Sequence, residues 1–321
     1  MYLEIKKTKI KKFEKQIEVL APWMHSFKFS ENLIVGYFKY EGVGGELTYI
    51  NSKSSKEDKK KVNNAYLKRN HDLEKKFFSQ LINFLGYTKE QKKRKSALDI
   101  SSATGQKSFW LADEGIGKVT ASEIRKNQTN QLKLILDCAL NERYKKIINA
   151  KNDLESADST EYLKKYQKNK HDIVLSFGLL YHLNNPLQHL NNLYKISNKH
   201  VIIYTHTHNY FNCNNLWELT PENEEWITKA YEGISWKPHY HGLIDYCKKI
   251  GFKKVKMFYP DIFKVNYPYF DRTERYFKTL NLINKSLMKL GIKPRVAKNF
   301  EFSYYRYSNL NPNFYAYICE K

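Results

Sequence analysis

The chain has 321 residues, of which 41% are apolar and 15% aromatic, including 25 Tyr and 18 Phe. That excludes a disordered polymer, and at about 150 residues per domain it allows two domains or one large domain with additions. Lys and Arg outnumber Asp and Glu by 55 to 33, a net charge of +22 whose field attracts nucleic acid or an anionic surface.

Only eight of the basic residues are Arg, the side chain suited to planar phosphate and base contacts. A Lys-dominated excess therefore favours nonspecific attraction over sequence reading, and it is also what an AT-rich genome writes onto a solvated surface. From Met1 to Leu20, Lys interleaves with single apolar residues, and no later window approaches 18 uninterrupted apolar residues. The expectation is a cytoplasmic protein with neither a secretion signal nor a membrane span.

Asn51 to Lys61 and Lys89 to Lys95 are Lys-rich, lack apolar periodicity and read as flexible, solvated connectors. Between them, Leu73, Phe77, Phe78, Leu81, Ile82 and Leu85 recur at three- and four-residue steps, which predicts a helix over Ala65–Leu85. From Ser96 the pattern becomes short apolar strands alternating with amphipathic helices. Strands are predicted at Ala97–Ser101, Val119–Ser122, Ile147–Ala150, Asp172–Phe177 and Val201–Thr205. Helices fall near Ser108–Glu114, Gln128–Leu140, Glu161–Gln167 and Pro186–Ile196. This alternation is that of an α/β, doubly wound sheet covered on both faces.

Downstream, Leu243–Ile250 reads as a helix stopped by Gly251, followed by strands at Phe252–Phe258 and Phe314–Ile318. The roughly 55 residues between those strands are too many for a bare loop and read as an inserted cap. The expected organisation is an N-terminal aromatic and Lys-rich extension with its helix (1–95), a core (96–259), the cap (260–313) and a last core strand (314–321).

Three elements carry chemistry. At the end of the first core strand, Asp99-Ile100-Ser101-Ser102-Ala103-Thr104-Gly105 is a turn of small residues entering a helix. Small side chains admit a ligand close to the backbone, and the helix start offers free N–H donors. In the nucleotide-binding fingerprint Ser101 and Ala103 are glycines. Glu123, 24 positions beyond Asp99, stands at the tip of the second strand, where a carboxylate can accept hydrogen bonds from both hydroxyls of a ribose. The third element runs from His171 through Phe177-Gly178-Leu179-Leu180-Tyr181-His182 to Pro186-Leu187, a strand leaving the sheet's carboxyl edge into two polar rings. Elsewhere, Cys138, Cys213, Cys247 and Cys319 form no CxxC pair and read as reduced thiols. The pairs His206/His208 and His239/His241 lack a neighbouring carboxylate or thiolate at ligand spacing, so no metal is expected.

With these residues the sequence resembles class I S-adenosylmethionine-dependent methyltransferases, and among them the family that finishes 5-methoxy- and 5-carboxymethoxy-uridine at the tRNA wobble position. The likeness lies in Ala97-Leu98-Asp99-Ile100 through Gly105, the Val119-to-Ile124 strand end, and Gly178-Leu179-Leu180-Tyr181-His182 with Pro186-Leu187. It reaches upstream to Pro22-Trp23-Met24-His25-Ser26 and downstream to Ser235-Trp236-Lys237-Pro238 and Cys247 through Phe252, covering roughly residues 20 to 258. The resemblance implies a seven-stranded Rossmann-like sheet and S-adenosylmethionine as cofactor. Asp99, Ser101 and Gly105 would flank its amino acid part, Glu123 would hold its ribose, and Phe177 and Tyr181 would border the sulfonium. Asp153, Asp158 and Glu161 compete for the place beside the adenine.

One departure concerns the cofactor itself. Members that use the carboxylated form of S-adenosylmethionine carry an Arg in the last strand, whereas Asn313 to Ile318 holds no basic residue. A buried carboxylate without a paired cation is unfavourable, so the ordinary methyl cofactor is expected. His182 or His25 can serve as base toward a protonated acceptor, with a structural histidine as the alternative for His182. Trp23 and Trp236 either stack a planar acceptor or close a core. The acceptor expected from the resemblance is a tRNA wobble uridine. The alternatives are a small-molecule hydroxyl, on a sugar, lipid or metabolite, and an inactive nucleic-acid-binding relative.

Overall fold

Apolar side chains spaced one helical turn apart start the fold. In α1 (Ile10–Ile17), Phe13 and Ile17 are fully buried while Lys11, Lys12 and Lys15 face water. The structure is a computed structural model that describes residues 1–36, 49–68, 71–207, 217–221, 234–258 and 314–321. After α1, a small antiparallel sheet forms from β1 (Phe27–Ser30), β2 (Leu33–Val35) and β3 (Tyr49–Ile50). Two helices follow, α2 (Lys56–Lys68) and α3 (His71–Phe84), and Phe77, Phe78, Leu81 and Ile82 of α3 are buried.

Both stretches expected as solvated connectors contain helix, a correction with a local cause. At the start of α2, Ser55 Oγ accepts the N–H of Asp58 at 3.0 Å. Around α4 (Lys89–Lys93), Thr88 Oγ1 accepts the Gln91 N–H and Gln91 Oε1 accepts the Thr88 N–H, a reciprocal cap. Lys92 is buried, donating to Asn83 Oδ1 at 2.6 Å and Glu114 Oε2 at 3.2 Å.

The core then alternates as expected: β4 (Ser96–Ile100), α5 (Gln106–Asp113), β5 (Lys118–Glu123), α6 (Lys126–Cys138), α7 (Glu142–Ile147), β6 (Ile148–Asn152), α8 (Thr160–Gln167), β7 (His171–Phe177), α9 (Pro186–Ile196) and β8 (Ser197–His206). A two-stranded ribbon of β9 (Trp217–Pro221) and β10 (Ile234–Pro238) precedes α10 (Tyr240–Ile250), β11 (Lys254–Phe258) and β12 (Phe314–Glu320). The main sheet has the order β6-β5-β4-β7-β8-β12-β11, with β6 to β8 parallel and β12 antiparallel to both neighbours. This is the expected seven-stranded, doubly wound α/β architecture. The cap expected at 260–313 lies outside the described residues.

Alternation along the strands builds two cores. Ala97, Val119, Ala121, Ile173, Leu175 and Ile202 face one cluster, which also holds Met1, Phe13, Trp23, Phe27, Phe77 and Phe78 from the N-terminal segment. Leu98, Ile100, Val174, Val201 and Ile203 face the other, beneath α8, α9 and α10. The N-terminal segment and the sheet thus share one apolar cluster. Among the described residues no helix is long and apolar enough to cross a membrane.

Candidate cofactor and active site

Register fixes the site. Ile100 lies level with Ser122 of β5 and Ser176 of β7, so the next residues, Ser101, Glu123 and Phe177, emerge side by side at the carboxyl edge. Phe177 is in turn level with Tyr204, and Glu123 with Asn152. Five strands therefore deliver one row of side chains to the position where open α/β sheets bind ligands.

Asp99, two residues inside this row, is 1% exposed, and its Oδ2 accepts the Ser108 hydroxyl at 2.6 Å. Burial pushes its carboxyl up to about 6, against the opposing pull of the Ser108 hydrogen bond and the Lys107 charge. Beyond it Ser101 (φ 55°) and Ala103 (φ 48°) adopt left-handed backbone, the conformation that glycines supply in the nucleotide-binding fingerprint. Each carries roughly 1–2 kcal/mol of Cβ crowding that a glycine would not. Gly105 (φ 82°) is different, because a Cβ there would stand 2.5 Å from Leu132 Cδ1. The hydroxyls of Ser102 and Thr104 are buried in this turn with no hydrogen-bond partner among the described residues.

Glu123 is 1% exposed and heavily bonded. Its Oε2 accepts the Ala103 N–H at 2.8 Å and Arg125 Nη2 at 3.3 Å; its Oε1 accepts Arg125 Nε at 2.8 Å and the Arg125 backbone N–H at 3.0 Å. Arg125 was not among the sequence candidates, although the Glu-x-Arg spacing at a strand tip is a visible signal. Its Nη1 also donates to Met24 Sδ at 3.3 Å.

Of the three carboxylates competing beyond the third strand, Asp153 is the buried one and lies beside Glu123, its N–H donating to the Glu123 carbonyl at 2.9 Å. Its carboxylate accepts from Ser122 Oγ at 2.5 Å, from the Tyr166 hydroxyl and from Lys165. Asp158 is half-buried and accepts the Asn185 N–H at 2.8 Å, while Glu161 sits exposed in the first turn of α8.

On the other flank, Phe177 stacks on Tyr204 at 5.3 Å and meets Phe78 edge-on at 5.7 Å. Gly178 (φ 66°) turns the chain, its N–H donating to the Tyr204 carbonyl at 2.7 Å. The rings of Tyr181 and His182 follow, 4.0 Å apart, with His206 edge-on to Tyr181 at 6.1 Å. Strand β10, which carries half-buried Trp236, packs against this turn, and Trp217 meets Trp236 at 6.4 Å.

Trp23 is placed otherwise. It is fully buried, its indole N–H donating to the Ile17 carbonyl at 2.8 Å, so it closes the core and presents no face to an acceptor. The half-buried His25 follows Met24, which Gln128 Nε2 holds at 2.7 Å, and Gln131 pins the Pro22 carbonyl at 2.8 Å. The Lys89–Lys95 stretch lies at the opposite end of the sheet, where Lys95 Nζ pairs with Asp172 Oδ1 at 3.1 Å at the start of β7. It does not border the ligand edge, because α4 precedes β4 and a parallel strand's amino end faces away from that edge. His239 is buried and caps α10 by accepting the His241 N–H, and His208 and Cys213 lie outside the described residues. Among the described residues no group of three His, Cys, Asp or Glu gathers around a metal position.

A family model described as a methyltransferase domain matches residues 69–257. Among solved structures the chain is similar to the N-terminal domain of EvdMO1 crystallised in the presence of SAH and D-fucose. The identity is 13% and the TM-score 0.51, covering 79% of this chain and 90% of that one. The same domain with SAH bound is similar at 14% identity, a TM-score of 0.51, and 77% and 89% coverage. A SAM-dependent methyltransferase from Archaeoglobus fulgidus aligns at 17% identity and a TM-score of 0.38, over 76% of this chain and 92% of that one. No curated protein matches the chain.

Proposed function

The chain belongs to the methyltransferase-domain family and to its S-adenosylmethionine-dependent enzymes, and we propose that its acceptor is a small molecule offering a hydroxyl over the Tyr181–His182 turn. The observation that carries this is the cluster of Tyr181, His182 and His206 rings beside Phe177 at the ligand edge, while the basic helix α4 sits at the other end. The EvdMO1 domain was crystallised in the presence of D-fucose, a molecule of this hydroxyl-bearing class.

The chain's own groups suit the cofactor. The hydroxyls of Ser102 and Thr104, without a partner among the described residues, and the tight Ser101–Gly105 backbone offer polar contacts to its amino acid part, with the Asp99 carboxylate beside them. Glu123 would take the ribose hydroxyls, Asp153 the adenine side, and Phe177 and Tyr181 the neighbourhood of the sulfonium. When bound, the cofactor supplies an activated methyl electrophile, so most of the protein's task is alignment. His182 would accept the proton that an acceptor hydroxyl loses, and Trp236 and His25 would border the acceptor. The buried free thiols of Cys138, Cys247 and Cys319 suit a reducing compartment, and a cytoplasmic place of work belongs to this reading.

A second acceptor, a tRNA wobble uridine, is favoured by the Gly178-to-His182 block and the net charge of +22. An exposed anticodon base can splay out and stack on a ring such as Trp236. One assay separates the two. Labelled S-adenosylmethionine is offered with total tRNA, and in parallel with a small-molecule extract, both from cells lacking the gene. Label is expected in the extract; label confined to tRNA would replace the small acceptor by the RNA.

A further inference from the structure

A carboxylate has about four lone-pair positions, and in Glu123 all four are taken. Two donors are backbone groups, the N–H of Ala103 on Oε2 and of Arg125 on Oε1, and these alone orient the carboxylate. The other two are Nε and Nη2 of the Arg125 guanidinium, at 2.8 and 3.3 Å, one to each oxygen. A planar fork that gives one N–H to each carboxylate oxygen offers the same donor pattern as a ribose diol, which gives one O–H to each. Both cannot be satisfied on the same two remaining lone pairs.

We propose that the Arg125 guanidinium holds the place of the cofactor's ribose diol on Glu123 and must leave it for the cofactor to bind. This rests on the reading of Glu123 as the ribose acceptor. The guanidinium keeps a buried carboxylate paired in the free enzyme, where an unpaired one would be unfavourable. It can leave because the Arg125 side chain is 39% exposed while Glu123 is 1% exposed, so water takes the arginine while the carboxylate stays oriented by its two backbone donors. Departure also breaks the Nη1 contact to Met24 Sδ, whereas Met24 keeps its bond from Gln128. The Pro22–Ser26 segment thus lies next to the group that moves. Arg125 is a positioning residue whose removal strengthens cofactor binding.

Calorimetric titration of the full chain with S-adenosylhomocysteine tests this, on the unsubstituted protein, R125A and R125K. R125A is expected to bind about tenfold more tightly, equivalent to roughly 1.4 kcal/mol. R125K, whose ammonium cannot span both oxygens, is expected to fall between. A merely structural arginine would weaken both ligand forms alike. Here the gain in R125A should shrink to about threefold for the 2′-deoxy analogue, which has lost one of the two competing hydroxyls. Unchanged or weaker binding of S-adenosylhomocysteine by both folded variants, beside binding by the unsubstituted protein, overturns the role of Arg125 alone. Absence of binding in all three overturns the ribose reading of Glu123 with it.

Discussion

At the scale of single residues, Asp99 makes the site sensitive to pH. Burial raises its carboxyl to about 6, so the folded protein binds a proton there that the unfolded chain, with an ordinary carboxyl near 4, has released. Stability therefore falls as pH rises from about 4 to 6, and above 6 the charged, buried carboxylate is held at a cost on the order of 3 kcal/mol. A cationic ligand group beside Asp99 reverses that preference, since it favours the ionised form. Affinity for S-adenosylhomocysteine, whose amino group would sit there, is expected to drop about tenfold between pH 7 and pH 5, with proton release on binding in that range. D99N should flatten the profile. Calorimetry in two buffers of different ionisation heat measures both affinity and protons, and a flat profile in the unsubstituted protein would remove Asp99 from the ligand's charged end.

Elements differ in how plainly they are written in the sequence, and the reason is how many independent signals each carries. Helix α9 has Pro186 at its first turn, an Asn185 side chain capping Gln188, and apolar residues at helical spacing, so its ends were legible to the residue. Strands β4, β5 and β7 are buried on both faces, admit only apolar or small and paired polar side chains, and were legible to within one or two residues. The small sheet β1–β3 and helix α1 were not, because strands of two to four residues and a helix of eight with two buried side chains leave too short a pattern. For α4 the Thr88-to-Gln91 cap was the available sign, hidden by the lysines around it. Trp23 was ambiguous for another reason: an indole suits a base and a core equally well, and only packing decides. Since it is buried against Phe13 and bonded to Ile17, W23A is expected to destabilise the protein by about 3–5 kcal/mol. Denaturant unfolding checks this. A stable W23A with only a raised KM for acceptor would return Trp23 to the substrate site.

Across the whole molecule, topology rather than composition decides which charges reach the ligand. The chain carries 55 Lys and Arg, yet a parallel strand delivers only the residues at its carboxyl end to the site, and an antiparallel strand only those at its start. Strand β12 is antiparallel, so Phe314, level with His206, lies at the ligand edge, and Lys321 lies at the far end, where its Nζ donates to the Ser197 carbonyl at 3.0 Å. Lys254, which pairs with Glu320, is at that far end too. Nearer the site, Lys107 bonds Gln106 and covers the Trp110 ring at 3.9 Å, and Arg125 lies at the Glu123 tip of β5, two strands across the sheet from Phe177. A carboxylate on the transferred group of the cofactor would thus enter the Phe177–Tyr181 neighbourhood without a cation supplied by β12. Desolvating it unpaired is unfavourable by several kcal/mol, which favours the plain methyl form. Competition between S-adenosylmethionine and its carboxylated relative, read by calorimetry or by which group appears on product, is expected to favour the methyl donor. A tenfold preference for the carboxylated form, about 1.4 kcal/mol, would mean that a lysine from another element supplies the missing cation.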